Sequence, residues 1–183
     1  MDMRKEGKAC TSPDRTATER AFLRAGTPSM LSQKAKYAIK ALLVLARADE
    51  GDLVQANQIA EEQNIPKKFL DLIFFELRRH GLIQSTRGRE GGYALGMPAA
   101  EISIASIVRA VDGPLAPLPC ASVKFYRRCS DCDDEKTCAV RKLMREVRDA
   151  ASSILDNTSL AEAASLPVRG SHAKKRASRK TVA

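Results

Sequence analysis

The chain has 183 residues and a formal net charge of +9, with 44% hydrophobic, 29% charged and 4% aromatic residues and no Trp. That composition is ordinary for a soluble globular protein with room for one core and an added arm. No apolar run approaches the roughly 18 residues of a bilayer span. The charged N-terminus also lacks the apolar stretch of an export signal, which predicts a cytoplasmic protein with no membrane partner.

The charge is unevenly spread. Residues 167–183 hold six basic side chains and no acid, and residues 1–29 hold six basic and four acidic, so residues 30–166 carry only +1. The high total is therefore mainly a property of the ends and does not by itself establish binding to a polyanion.

In chain order, residues 1–29 are polar without a sustained period and predict a disordered extension, with Met30 a second candidate start. Ser32 is placed to cap a first helix whose Ala35, Ala38, Ile39, Leu42, Leu45 and Ala46 share one face. A short second helix is expected over 56–63. The third opens with Pro66 in its first turn and runs to about His80, with Phe69, Leu70, Ile73, Phe74 and Leu77 inward and Gly81 as its stop. Leu82–Ser85 and Tyr93–Leu95 then read as short strands around a glycine-rich tip. A helix over 103–112 follows, then a proline-broken stretch. The last long helix, about 138–156, steps its apolar positions Val140, Met144, Val147, Ala151 and Ile154 by four and three. That is the spacing of a coiled-coil seam and equally of a short core helix. A closing element over 159–165 precedes the basic tail of 167–183, also expected to be disordered.

Helix, helix, turn, helix and glycine-tipped hairpin is the order of a winged helix-turn-helix. The fold class expected is thus mainly α with a small β-hairpin wing. A recognition helix must anchor by an apolar stripe and offer polar side chains to a major groove about 12 Å wide, and residues 66–80 have both faces. Residues 67–89 hold six basic side chains against two acidic ones. Lys67, Lys68 and Asp71, near the helix start, are the candidate base readers. Lys34, Lys36, Tyr37, Arg87, Arg89 and Tyr93 are candidate clamps on the DNA backbone or supports of the surface that meets it, and Gly91 and Gly92 let the hairpin approach it closely. A winged helix also serves in protein–protein contacts, so fold alone does not choose the partner.

The run Ile65-Pro66-Lys67-Lys68-Phe69-Leu70, then Leu77-Arg78-Arg79-His80-Gly81-Leu82-Ile83, then Arg87-Gly88 with Gly91-Gly92-Tyr93, resembles the Rrf2-type (IscR/NsrR/RirA-like) regulators over roughly residues 30–165. The resemblance implies a homodimeric repressor or activator on double-stranded operator DNA, with recognition helices in adjacent major grooves and the long C-terminal helix as the dimer interface. The domains it implies are a DNA-binding unit over 30–113, a sensor loop over 114–137, and a dimerisation helix with its closing element over 138–166.

Four of the five cysteines, Cys120, Cys129, Cys132 and Cys138, fall within nineteen residues spanning that loop and the start of the long helix, while Cys10 stands alone in the extension. In a reducing compartment such a cluster points to metal or redox chemistry rather than disulfide scaffolding. Thiolates suit an iron–sulfur cluster or zinc. Thiol–disulfide switching, for instance of Cys129 with Cys132, and idle cysteines are the other readings. Thr137 is a candidate cap for the long helix, whose positive end favours a Cys138 thiolate; nearby Lys124, Arg127, Arg128, Lys136 and Arg141 act in the same sense. The resemblance favours an iron–sulfur cluster. The gap from Cys132 to Cys138 matches the sensing members of the family, but neither Cys120 nor Cys129 stands where their first cysteine does. Arg141 occupies the place of a histidine ligand, and the histidines present are His80 and His172. No phosphate loop, metalloprotease motif or Ser/His/Asp set argues for an enzyme.

Overall fold

A computed structural model describes residues 31–166 apart from positions 50, 89 and 133. The expected extension and tail, Met30, Cys10, His172 and Arg89 lie outside the described residues. The elements are α1 Gln33–Ala46, α2 Ala56–Gln63, α3 Lys67–Arg79, β1 Ile83–Thr86, β2 Gly92–Leu95, α4 Ile104–Asp112, a 3₁₀ turn Pro119–Ala121, α5 Ala139–Asn157 and α6 Leu160–Ser165.

Local chemistry sets most of these ends. Ser32 caps α1, its hydroxyl accepting from Ala35 N–H at 3.0 Å, and Ser103 caps α4 by the same bond to Ser106 at 3.1 Å. Asn64, with φ 52°, turns the chain out of α2. Pro66 sits one place outside α3, as its cap rather than its first helical residue. Gly81, at φ 71°, stops α3, and Leu82 N–H returns to the Leu77 carbonyl at 3.0 Å to satisfy an end carbonyl.

The core lies where α1 meets α2, α3, α4 and α6. Leu42, Ile59, Leu70, Ile73, Phe74, Leu77, Ile102, Ile107 and Leu160 are its largest fully buried side chains. β1 and β2 form an antiparallel hairpin with Ile83 opposite Leu95 and Thr86 opposite Gly92. A further backbone pairing joins it. Val54, just before α2, exchanges both hydrogen bonds with Tyr93 at 2.9 Å each.

The chain returns to this core after α5. Leu160 N–H donates to the Ile102 carbonyl at 2.7 Å, and a Ser159–Glu162 capping box starts α6. Helix α5 itself buries no residue, and Val140, Leu143 and Ile154 stay largely exposed. The expected seam is thus half-covered, with Leu155 alone of α5 packed on the core.

Near its end, α5 is tied to α4 by Arg109, which donates to both oxygens of Asp156 at 2.5 and 2.8 Å. Arg109 holds the Asp156 carboxyl below its ordinary range. A carboxylate with a lowered pKa in the folded state adds stability above its unfolded pKa, and that part is lost as pH falls through the lowered value. Both side chains are about two-fifths exposed, so solvent screening keeps the contribution to at most about 1 kcal/mol. Asp156→Asn is expected to lower unfolding free energy by that amount at neutral pH in urea titrations. The gap to wild type should close below the usual carboxylate range.

Candidate nucleic-acid interface and cysteine loop

The apolar stripe of α3 is Leu70, Ile73, Phe74 and Leu77, all buried. Helical geometry then turns Lys68, Leu72, Phe75 and Arg79 directly outward, and Lys67, Asp71 and Arg78 toward the hairpin. Between α3 and the hairpin lies an open groove of about 460 Å³ lined by Lys67, Asp71, Arg78, Arg87 and the hairpin glycines. The structure therefore brings Lys67, Asp71, Arg87, Gly91, Gly92 and Tyr93 to one concave surface.

The contacts that these residues make within the protein differ. Lys67 Nζ already donates to Asp71, at 3.0 and 3.2 Å, with both side chains half exposed. Lys68 and Lys36 are exposed. Lys34 points elsewhere, its ammonium donating to the Val111 carbonyl at the end of α4 at 3.0 Å. Tyr37 packs edge-on against Phe69, ring centres 5.8 Å apart, and so supports α3 from behind.

Gly92 serves the protein's own backbone. A Cβ there would lie 2.9 Å from the Val54 carbonyl oxygen, and one on Gly91 would collide with the Thr86 carbonyl. Gln55 and Asn57, at the start of α2, also line the groove, as does Ser85, which accepts from Arg78 at 3.4 Å. Sequence reasoning does not place these in the site. Arg78 lies seven residues after Asp71 on the same helix face, a spacing that places it there; Gln55 and Asn57 carry no local signal.

In the cysteine loop, Cys132 donates its thiol proton to Cys138 with the sulfurs 3.5 Å apart. Cys138, not Thr137, caps α5, its sulfur accepting from Arg141 N–H at 3.4 Å; Thr137 instead donates to the Asp134 carbonyl. That backbone bond, then the one from Cys132, lowers the Cys138 pKa. Donating to Cys138 in turn pushes the Cys132 thiol up to about 12, with Cys129 adding to the effect. Cys129, Cys132 and Cys138 thus interact. Cys120 lies buried in the 3₁₀ turn, and its carbonyl accepts from Arg141 Nε of α5 at 3.0 Å. Among the described residues, no three His, Cys, Asp or Glu side chains are arranged to hold a metal ion. Also among them, no helix is long and apolar enough to cross a membrane.

Three N-terminal helices, the second and third joined as a helix-turn-helix, with an antiparallel hairpin beside the third, define a winged helix-turn-helix protein. Residues 31–165 match the Rrf2 family, described as an iron-dependent transcriptional regulator, and the chain belongs to that family. It is 43% identical over 134 residues to an rrf2-like HTH-type transcriptional regulator of Rhodobacter capsulatus, covering 72% of this chain and 89% of that one. It is 33% identical over 132 residues to the HTH-type transcriptional regulator IscR of Yersinia pestis, covering 72% and 77%. Among solved structures it is similar to CymR, the global cysteine regulator of B. subtilis, with a TM-score of 0.63 and 30% identity over 75% of this chain and 98% of that one. The chain is thus an HTH-type transcriptional regulator rather than an enzyme.

Proposed function

We propose that the chain is a cytoplasmic homodimeric repressor that binds operator DNA and senses iron, redox or nitric oxide status through an iron–sulfur cluster on its loop cysteines. The observation that carries the DNA part is the basic-rimmed groove between α3 and the hairpin, with Lys67, Arg78 and Arg87 on its lining. Lys68 and Asp71 face base edges, while Arg87 of the hairpin and Lys36 of α1 face phosphates. Occupying an operator is enough to block transcription from it, which makes repression the simplest output.

The exposed Val140, Leu143 and Ile154 of α5 support the dimer. A second copy of the same helix would cover them and set two recognition helices about one DNA turn, roughly 34 Å, apart.

The donor chemistry supports the proposed cofactor, thiolates being the ligands of iron–sulfur clusters, although the described side chains would have to rearrange to hold a metal ion. Cys129, Cys132 and Cys138 interact, and the helix-start amide bond from Arg141 lowers the Cys138 thiol from its ordinary value. These three would hold the cluster, and Cys120 would join only by leaving its buried turn. The bound cluster would supply iron reactive toward oxidants and nitric oxide. Arg141, in the position of a histidine ligand, holds the loop to α5 through its bonds to the Cys120 and Glu135 carbonyls.

A second reading has its own support, the 3.5 Å between the Cys132 and Cys138 sulfurs. A peroxide would take two electrons and two protons from this pair, form their disulfide and leave as water. The solved relatives include an oxidised form of CymR from Staphylococcus aureus. Cys132 with Cys138 is then a candidate pair beside Cys129 with Cys132.

Three measurements test these readings. With a promoter fragment in a salt titration, Arg87→Ala should weaken binding and lower the slope of log affinity against log salt by about 1 for each phosphate that the hairpin ceases to neutralise. An unchanged slope removes the hairpin from the interface. In sedimentation equilibrium, wild type should run as a dimer and Ile154→Glu should shift toward monomer; equal masses would move the interface off this helix. Anaerobically purified protein should be coloured and contain iron and sulfide, most of it absent from Cys138→Ser. Colourless protein that takes up no iron on reconstitution, yet loses two hydrogens in peroxide, would favour the disulfide reading and leave DNA binding intact.

A further inference from the structure

The outward stripe of α3 is not uniformly polar. Leu72 is 62% exposed and Phe75 52% exposed, between Lys68 and Arg79. A scattered surface leucine needs no explanation, but these two large apolar side chains adjoin each other on the helix that the fold turns toward DNA. Their surroundings differ. Phe75 lies under the Arg79 guanidinium, 5.8 Å from the ring centre. Leu72 lies nearer the start of the helix, the end that enters a groove first.

We propose that Leu72 is a specificity-determining residue that reads the 5-methyl group of a thymine in the major groove. The inference rests on the operator-binding reading above. A leucine side chain has no donor or acceptor, so it discriminates by shape and apolar contact alone. The thymine methyl is the apolar group that the base pairs of B-DNA present in the major groove. The occupant is double-stranded DNA rather than a protein because cations frame the patch. Lys68 and Arg79 bracket it on the same stripe, and Lys67, Arg78 and Arg87 line the adjoining groove. Such a frame suits a polyanion. On docking, Leu72 and the methyl lose water together. Burying one methyl-sized group corresponds to about a 3- to 5-fold gain in affinity.

The test begins by selecting tight-binding duplexes from a random library with the full chain. Each enriched thymine is then replaced by deoxyuridine, which deletes the methyl and keeps the pairing. At one thymine per half-site, the replacement should weaken wild-type binding about 3- to 5-fold. Leu72→Ala should abolish that difference and keep the losses caused by changes at other positions. A cytosine at the same position should regain affinity for wild type when 5-methylated, and not for Leu72→Ala. Binding that ignores every thymine methyl, or Leu72→Ala with undiminished methyl sensitivity, overturns the assignment and leaves operator binding standing; the patch would then be free to contact protein. Wild type that binds no library member in a salt-dependent way overturns operator binding itself, and the Leu72 assignment with it. Circular dichroism of Leu72→Ala should match wild type, because the side chain packs on nothing in the core.

Discussion

The DNA-facing half of the molecule depends on the meeting of Phe74 with Tyr93. Phe74 is 2% exposed in the core, and its ring lies 4.3 Å, centre to centre, from that of Tyr93 on β2. The Tyr93 backbone is tied by both its polar groups to Val54, and Gly92 lets β2 close to backbone contact with the Leu53–Val54 segment. A free two-stranded hairpin is marginally stable in water. Here one ring contact and one pair of hydrogen bonds fix it to the third helix and to the segment before the second. The groove between α3 and the hairpin therefore takes its width from the core. Surface substitutions on its rim can alter charge without altering its shape.

That same arrangement shows what a sequence can and cannot reveal. Helices α1, α3 and α4 are legible because their apolar periods and their terminal residues, Ser32, Gly81 and Ser103, agree with one another. The hairpin is legible from its clustered glycines. Val54 is not, since a single bridging residue has no period and its partner lies far along the chain. Lys34 escapes for the same reason. Its ammonium finds the end of α4, 77 residues away, and no local pattern announces a long-range contact. Lys67 and Asp71 stand four apart on a helix, an arrangement that favours pairing as much as reading bases. In the cysteine loop, spacing alone leaves four thiols equivalent. Pro119 and the tertiary packing separate them by burying Cys120 in a 3₁₀ turn.

Electrostatics within that loop follow from one proton shared unequally. Cys138 stands where the first free amides of α5 point, and a sulfur there is stabilised as an anion. Cys132 keeps its proton by giving the hydrogen bond. Thr137 is the better capping residue by type, yet the chain enters α5 one residue later and leaves the cap to sulfur. A helix start held by a weak acceptor is a place where a change in the state of the thiols alters the helix end itself.

Helix α5 is the element through which such a change would reach the DNA-binding unit under the proposed reading, and the way it is held bears on that. With no buried residue of its own, it is anchored unequally at its two ends. Near Asp156 it has the ion pair to Arg109, the Leu155 contact and the chain's return into the core at Leu160. Near Cys138 it has the guanidinium bond from Arg141 to the Cys120 carbonyl, and midway along the helix a second from Arg148 to the Ala121 carbonyl. Each such bond contributes roughly 1 to 3 kcal/mol net, within what ligand binding or a disulfide can offset, whereas the Asp156 end is held mainly by the return into the core at the fully buried Leu160 rather than by its exposed ion pair. A shift at the cysteine end would therefore swing α5 about its firmer end. In a dimer built on this helix, that swing changes the separation of two recognition helices without disturbing either core.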